Sequence, residues 1–137
     1  MKASFDFDGT LEHSDVQELA ERLILLGHIV EIVTTRWNEE NKWRYEFYQN
    51  LDEKAQTELH DDLYLVSEEL RIPYSFTNME YKADFLKENN FDIHIDDNWE
   101  ETMLCKRVGI KGYRIPSAID RTPIDVEQAL KNILEYK

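Results

Sequence analysis

Residues 28–33, HIVEIV, set the tightest limit on the fold. A run this rich in Ile and Val suits a strand covered on both faces, which points to a parallel sheet with helices packed on either side. Parallel neighbours need a crossover of about a dozen residues or more, so helical patterns should flank the run. Before it, Val16, Leu19, Ala20, Leu23 and Leu26 recur at helical spacing behind a Ser14-x-x-Gln17 capping box and stop at Gly27. Residues 2–7 read as a strand ahead of that helix. Beyond the run comes a polar, aromatic-studded helical region at about 38–50, then a helix with Leu59, Leu63, Val66 and Leu70 on one side, ended by Pro73. Residues 74–76 form a short strand, and the helix after it, with Asn78 as its cap, ends near Asn89-Asn90. Ile93 and Ile95 lie on a fourth strand, Asn98 caps a helix running to Gly109, and residues 111–115 form a fifth strand. Thr122-Pro123 opens a last helix with Val126, Leu130, Ile133 and Leu134 on its apolar face. Five strands alternating with helices predict an open, doubly wound α/β sheet with helices on both faces.

Composition bounds the function classes. With 137 residues, 42% hydrophobic content and no linker-like stretch, one core and one domain over 1–137 are expected. The formal net charge of −13 is spread along the chain, as on a solvated surface. It disfavours extended binding to nucleic acid or to an anionic membrane, both of which call for clustered Lys and Arg. No apolar leader and no membrane-length segment is seen, so a cytoplasmic location is expected. The lone Cys105 has no partner for a disulfide or a thiolate metal site and is read as a helix-packing residue. His13, His28, His60 and His94 show no ligand spacing and receive no role.

In a doubly wound sheet, ligands sit at the carboxyl ends of the strands, near the point where strand order reverses. Asp6 and Asp8 end strand one, Thr34-Thr35-Arg36 end strand two, and Asp96-Asp97 end strand four. If central strands carry them, four carboxylates, two hydroxyls and a guanidinium meet in one cleft. Carboxylates so close cannot all stay ionised without a cation, and an all-oxygen site with few ligands suits Mg²⁺.

These residues resemble the four motifs of the haloacid dehalogenase-like phosphohydrolases: FDFDGT at 5–10, IVTTR at 32–36, Lys82 within EYKADFL, and IHIDDN at 93–98. The resemblance spans nearly the whole chain. It implies a Rossmann-like domain and a Mg²⁺-dependent phosphatase working through an aspartyl-phosphate. By position, Asp6 is then the nucleophile and Asp8 the proton donor to the leaving oxygen, then the base for water. Asp6 and the Asp8 carbonyl also hold Mg²⁺. Gly9 lets backbone amides approach the phosphate, Thr34 donates to a phosphate oxygen, and Lys82 balances charge on the nucleophile and the transferring group. Asp96 ligates the metal directly, and Asp97 is a second ligand or holds a bound water. Thr35 and Arg36 are assigned to substrate or phosphate binding.

An isolated Asp-x-Asp-Gly is more often a turn, and an isolated Asp-Asp-Asn a helix cap. Here three strand ends and one helix start supply what a single phosphoryl-transfer site requires. Response-regulator receivers use the same parts, but their order of acidic pair and acceptor Asp does not fit this chain. Between Thr10 and Ser14 there is no room for a cap domain, and the insert at about 37–55 is too short for one, so an essentially capless enzyme is expected. Trp37, Trp43, Tyr45, Phe47 and Tyr48 in that insert read as core-packing aromatics, with a stacking wall for a substrate as the alternative. The expected substrate is a nucleotide or another small phosphomonoester. The alternatives are a polynucleotide 3'- or 5'-end phosphatase and, from another class, a non-catalytic phospho-ligand-binding module. Oligomeric state is left open.

Overall fold

The computed structural model describes residues 1–35, 53–77, 81–116 and 123–135, with the backbone alone for 53–60. Its strands are β1 (Lys2–Phe5), β2 (Ile29–Thr35), β3 (Tyr74–Thr77), β4 (Ile93–Asp96) and β5 (Lys111–Arg114). Its described helices are α1 (Ser14–Leu25), α2 (Glu53–Leu70), α3 (Lys82–Glu88), α4 (Trp99–Arg107) and α5 (Val126–Leu134). All strands run parallel in one sheet, in the order β3-β2-β1-β4-β5. The expected α/β architecture is therefore the observed one. From β1 the chain steps outward to β2 and β3, then returns past β1 to lay down β4 and β5. The order reverses between β1 and β4, so the loops leaving these neighbours diverge and open a crevice.

Strand alternation divides the interior into two cores. Ala3, Phe5, Val30, Ile32, Ile93 and Ile95 pack with Val16, Leu19 and Leu23 of α1, Leu63 and Val66 of α2, and Leu130 and Ile133 of α5. Val33, on the other face, joins Ala83 and Leu86 of α3, Cys105 of α4, Phe91 and Ile110. Cys105 is thus a packing residue, and burial pushes its thiol up to about 12. Gly112 of β5 lies directly beneath α4: a Cβ there would come within 2.9 Å of the Cα and carbonyl carbon of Thr102. The missing side chain lets the helix backbone rest on the sheet. Among the described residues no helix is long and apolar enough to cross a membrane.

Local details depart from the sequence reading at several ends. The Ser14-x-x-Gln17 capping box does not form, because the preceding turn runs directly into α1. His13 takes the cap position with no side-chain cap. Gln17 Nε2 instead donates to the carbonyls of Leu11 (3.0 Å) and Glu12 (3.3 Å). Helix α2 stops at Leu70 ahead of Arg71, whose φ is +57°, so Pro73 follows a stop already made. The last helix begins at Val126, capped by Asp125, whose carboxylate accepts from Gln128 N–H at 3.1 Å; Pro123 stays outside it. The Asn98 cap is as expected, its side chain accepting from Glu100 N–H at 2.9 Å. Arg36, the aromatics of the insert, Asn78 and Thr122 lie outside the described residues.

Candidate active site

The FDFD alternation sets up the site. Phe5 and Phe7 are buried in the larger core, which turns Asp6 and Asp8 the other way. Asp6 N–H still donates to Ile95 O at 3.0 Å, extending the β1–β4 ladder one step beyond β1. A wide turn follows, closed by Leu11 N–H donating to Asp6 O at 3.1 Å and pinned by buried Thr10 and Leu11. Gly9 has φ +77°, and a Cβ on it would come within 2.5 Å of Asp97 Oδ2, so both conformation and space favour glycine. Thr10 ties this turn to the end of β4: its hydroxyl donates to Asp97 Oδ1 at 3.3 Å and accepts from Asp97 N–H at 3.1 Å.

Register places the ends of β1, β2 and β4 side by side, with Phe5 paired to Ile32 and to Ile95. Thr34 Oγ1 donates to Asp6 Oδ1 at 2.7 Å. Lys82, the first residue of α3 and 1% exposed, reaches the same Asp6 Oδ1 at 3.3 Å and Asp96 Oδ2 at 3.0 Å. Asp96 is also held by Asn98 N–H on Oδ1 at 3.0 Å and by His94 Nε2 on Oδ2 at 2.8 Å. Carboxylate oxygens of Asp6, Asp96 and Asp97 lie within 4.8 Å of one another.

Among the described residues Lys82 alone brings a cationic side chain onto Asp6 and Asp96, and one ammonium cannot neutralise the cluster. Burial and the Asp96 charge push Asp6 well above the usual carboxylate range, although Lys82 and the Thr34 hydrogen bond pull the other way. Burial, followed by Asp96, raises Asp97 to about 6. Burial alone would also raise Asp96, but Lys82 and the His94 hydrogen bond outweigh it and hold Asp96 ionised. Burial alone would lower Lys82; Asp6, Asp96 and Glu101 overcome it and keep the ammonium charged. Glu101 of α4 is 3% exposed, and neither of its carboxylate oxygens has a hydrogen-bond partner among the described residues. Among the described residues carboxylates outnumber cations here, and that excess, in an all-oxygen donor set, fits a divalent metal.

A cavity of about 160 Å³ opens over this cluster, lined by Asp6, Asp8, Thr34, Thr35, Lys82, Asp96, Asp97, Asn98 and Glu101. It gathers all but two of the predicted site residues. Arg36 lies outside the described residues. Gly9 stands beside the cavity rather than in its lining, and its N–H donates to Glu12 Oε1. Thr34, expected to face the phosphate, spends its hydroxyl proton on Asp6. Thr35 lines the cavity with its Oγ1 unpartnered among the described residues. Sequence reasoning missed Glu101, Thr10, Ser4 and His94. For His94 there was a signal: it stands two residues before Asp96 on the same strand, and therefore on the same face.

No protein-family model matches the chain, and no curated protein does. Among solved structures, it is similar to a domain of a functionally unknown protein from Methanocaldococcus jannaschii, with 16% identity and a TM-score of 0.50. That match covers 90% of this chain and 96% of the other, and the likeness is one of fold alone.

Proposed function

We propose that the protein is a Mg²⁺-dependent phosphatase of the haloacid dehalogenase-like type, hydrolysing a small phosphomonoester through an aspartyl-phosphate on Asp6. The observation that carries this reading is the setting of Asp6. Its Oδ1 is fixed by Thr34 and Lys82, while no hydrogen bond from a described residue falls on Oδ2, and Asp8 lines the same cavity two residues on. Oδ2 attacks phosphorus as the bond to the leaving oxygen breaks, and Asp8 gives that oxygen a proton. Asp8 then takes a proton from water, whose oxygen attacks phosphorus and frees the Asp6 carboxylate. Lys82 stays beside Asp6 through both halves and offsets charge on the transferring group. Asp6, Asp96 and Asp97, with the Asp8 carbonyl, would hold Mg²⁺, which supplies positive charge to the phosphoryl oxygens when bound.

A cavity of about 160 Å³ admits the phosphoryl group but is smaller than the roughly 300 Å³ at which pockets begin to enclose whole drug-sized ligands. The remainder of the substrate then lies outside it, beyond the ends of β2 and β4. The net charge of −13 favours a small phosphomonoester, nucleotides included, over a nucleic-acid end. The test is release of inorganic phosphate from an aryl phosphate with and without Mg²⁺. Metal-dependent release abolished by Asp6→Asn is expected; binding of phosphorylated ligands without turnover would favour a non-catalytic module instead.

A further inference from the structure

His94 is fully buried in β4, directly across from Ser4 of β1, which is equally buried. Its ring joins two polar groups: Nδ1 lies 2.7 Å from Ser4 Oγ, and Nε2 lies 2.8 Å from Asp96 Oδ2. Proton accounting fixes the direction of this chain. An ionised carboxylate only accepts, so Nε2 carries the hydrogen. Burial disfavours a charged ring, and the Lys82 ammonium already on the same Oδ2 at 3.0 Å disfavours a second cation there, so the imidazole is neutral. Nδ1 is then bare and must accept the Ser4 hydroxyl proton. The other acceptor within reach of Ser4, the carbonyl of Ile93, is 3.4 Å away and a poorer partner.

The consequence falls on Asp96. Lys82 alone would leave its carboxylate free to turn about the ammonium, which has no preferred plane. A directional Nε2–H on Oδ2, with Asn98 N–H on Oδ1, fixes the plane from two sides. We propose that His94, itself oriented by Ser4, is a positioning residue that holds the Asp96 carboxylate in the attitude needed to bind a divalent cation. This rests on reading Asp96 as a cation ligand. The competing view is that Ser4 and His94 merely fill the space between sheet and helices, in which case an apolar side chain of similar size would serve as well.

Mg²⁺ alone, titrated calorimetrically into the full chain, separates these. His94→Leu should weaken Mg²⁺ binding about 10- to 100-fold, the range found when a hydrogen-bond partner of a metal ligand is removed. His94→Gln, whose amide nitrogen can occupy the Nε2 position, should recover most of the loss. Nitrogen-15 NMR of the wild-type ring without metal should show hydrogen on Nε2 alone; Ser4→Ala should leave it there, because the Asp96 carboxylate fixes it, but should weaken Mg²⁺ binding as the ring loses its orientation. Unchanged Mg²⁺ affinity in folded His94→Leu, or a wild-type ring protonated on Nδ1, overturns the proposal. If His94→Leu does not fold, the ring tautomer and the affinities of His94→Gln and Ser4→Ala still decide it. Absence of Mg²⁺ binding in the wild type would instead strike the cation reading itself, and is seen before any variant is made.

Discussion

Replacing Lys82 by Met keeps the length of the stem and removes the charge that joins Asp6 to Asp96. At an effective dielectric constant of about 20, contacts of 3.3 and 3.0 Å correspond to roughly 5 kcal/mol of attraction each. Most of that offsets the desolvation of three buried ionic groups, so the measured loss should be far below the sum. Removing one partner of a buried pair typically costs about 3–5 kcal/mol. Asp6 keeps Thr34, and Asp96 keeps His94 and Asn98, which places Lys82→Met near the low end, at about 3 kcal/mol. With a urea slope of about 1–3 kcal/mol per molar, the midpoint should fall by roughly 1–3 M at pH 7 in the presence of a chelator. Lowering the pH should shrink the difference, because a proton can take the place of the lost ammonium between the two carboxylates. Lys106→Met, on the exposed side of α4, is the control and should change stability by no more than about 0.5 kcal/mol. A Lys82→Met protein as stable as wild type under these conditions would refute the charge arrangement described for the site.

Gly112→Ala should cost about 1–3 kcal/mol in the same assay, because the new methyl group meets the α4 backbone at Thr102 rather than a side chain that can move away; an unchanged midpoint would mean that α4 does not rest on β5 as described. Asp97, raised to about 6 in the fold against 3.8 for the free group, holds a proton that the unfolded chain releases. Its contribution to stability is therefore complete below about pH 4 and is lost as pH rises through about 6. Asp97→Asn without metal should flatten the fall in stability between about pH 4 and 7, and an unaltered slope would contradict the raised value.

Much of the site was legible because strand ends are legible. Alternation of Phe with Asp at 5–8, the Val-rich run ending in Thr34-Thr35, and Ile-x-Ile-Asp-Asp at 93–97 fix both the strand and the edge on which its polar residues emerge. The helix caps were less so. Ser14-x-x-Gln17 has the composition of a capping box, yet the wide turn pinned by Thr10 and Leu11 delivers the chain to α1 without using it. His94 and Glu101 escaped for a different reason. A histidine inside a buried strand and a glutamate in a helix look ordinary in sequence, and their importance comes from which strand or helix lies opposite. His94 gains its meaning from Ser4, 90 positions away along the chain and directly across the ladder. Glu101 gains its own from Lys82.

The most direct test of the proposed chemistry asks which atom carries the phosphoryl group. The protein is mixed with a reactive aryl phosphate and Mg²⁺, quenched in acid during turnover and reduced with borohydride, which converts an aspartyl-phosphate to homoserine. Peptide mass spectrometry should then find homoserine at position 6 and nowhere else, and Asp6→Asn should give neither the product nor turnover. Sustained turnover with position 6 unmodified, or the mark on Asp8, Asp96 or Asp97 instead, would contradict the assignment of Asp6 as the nucleophile.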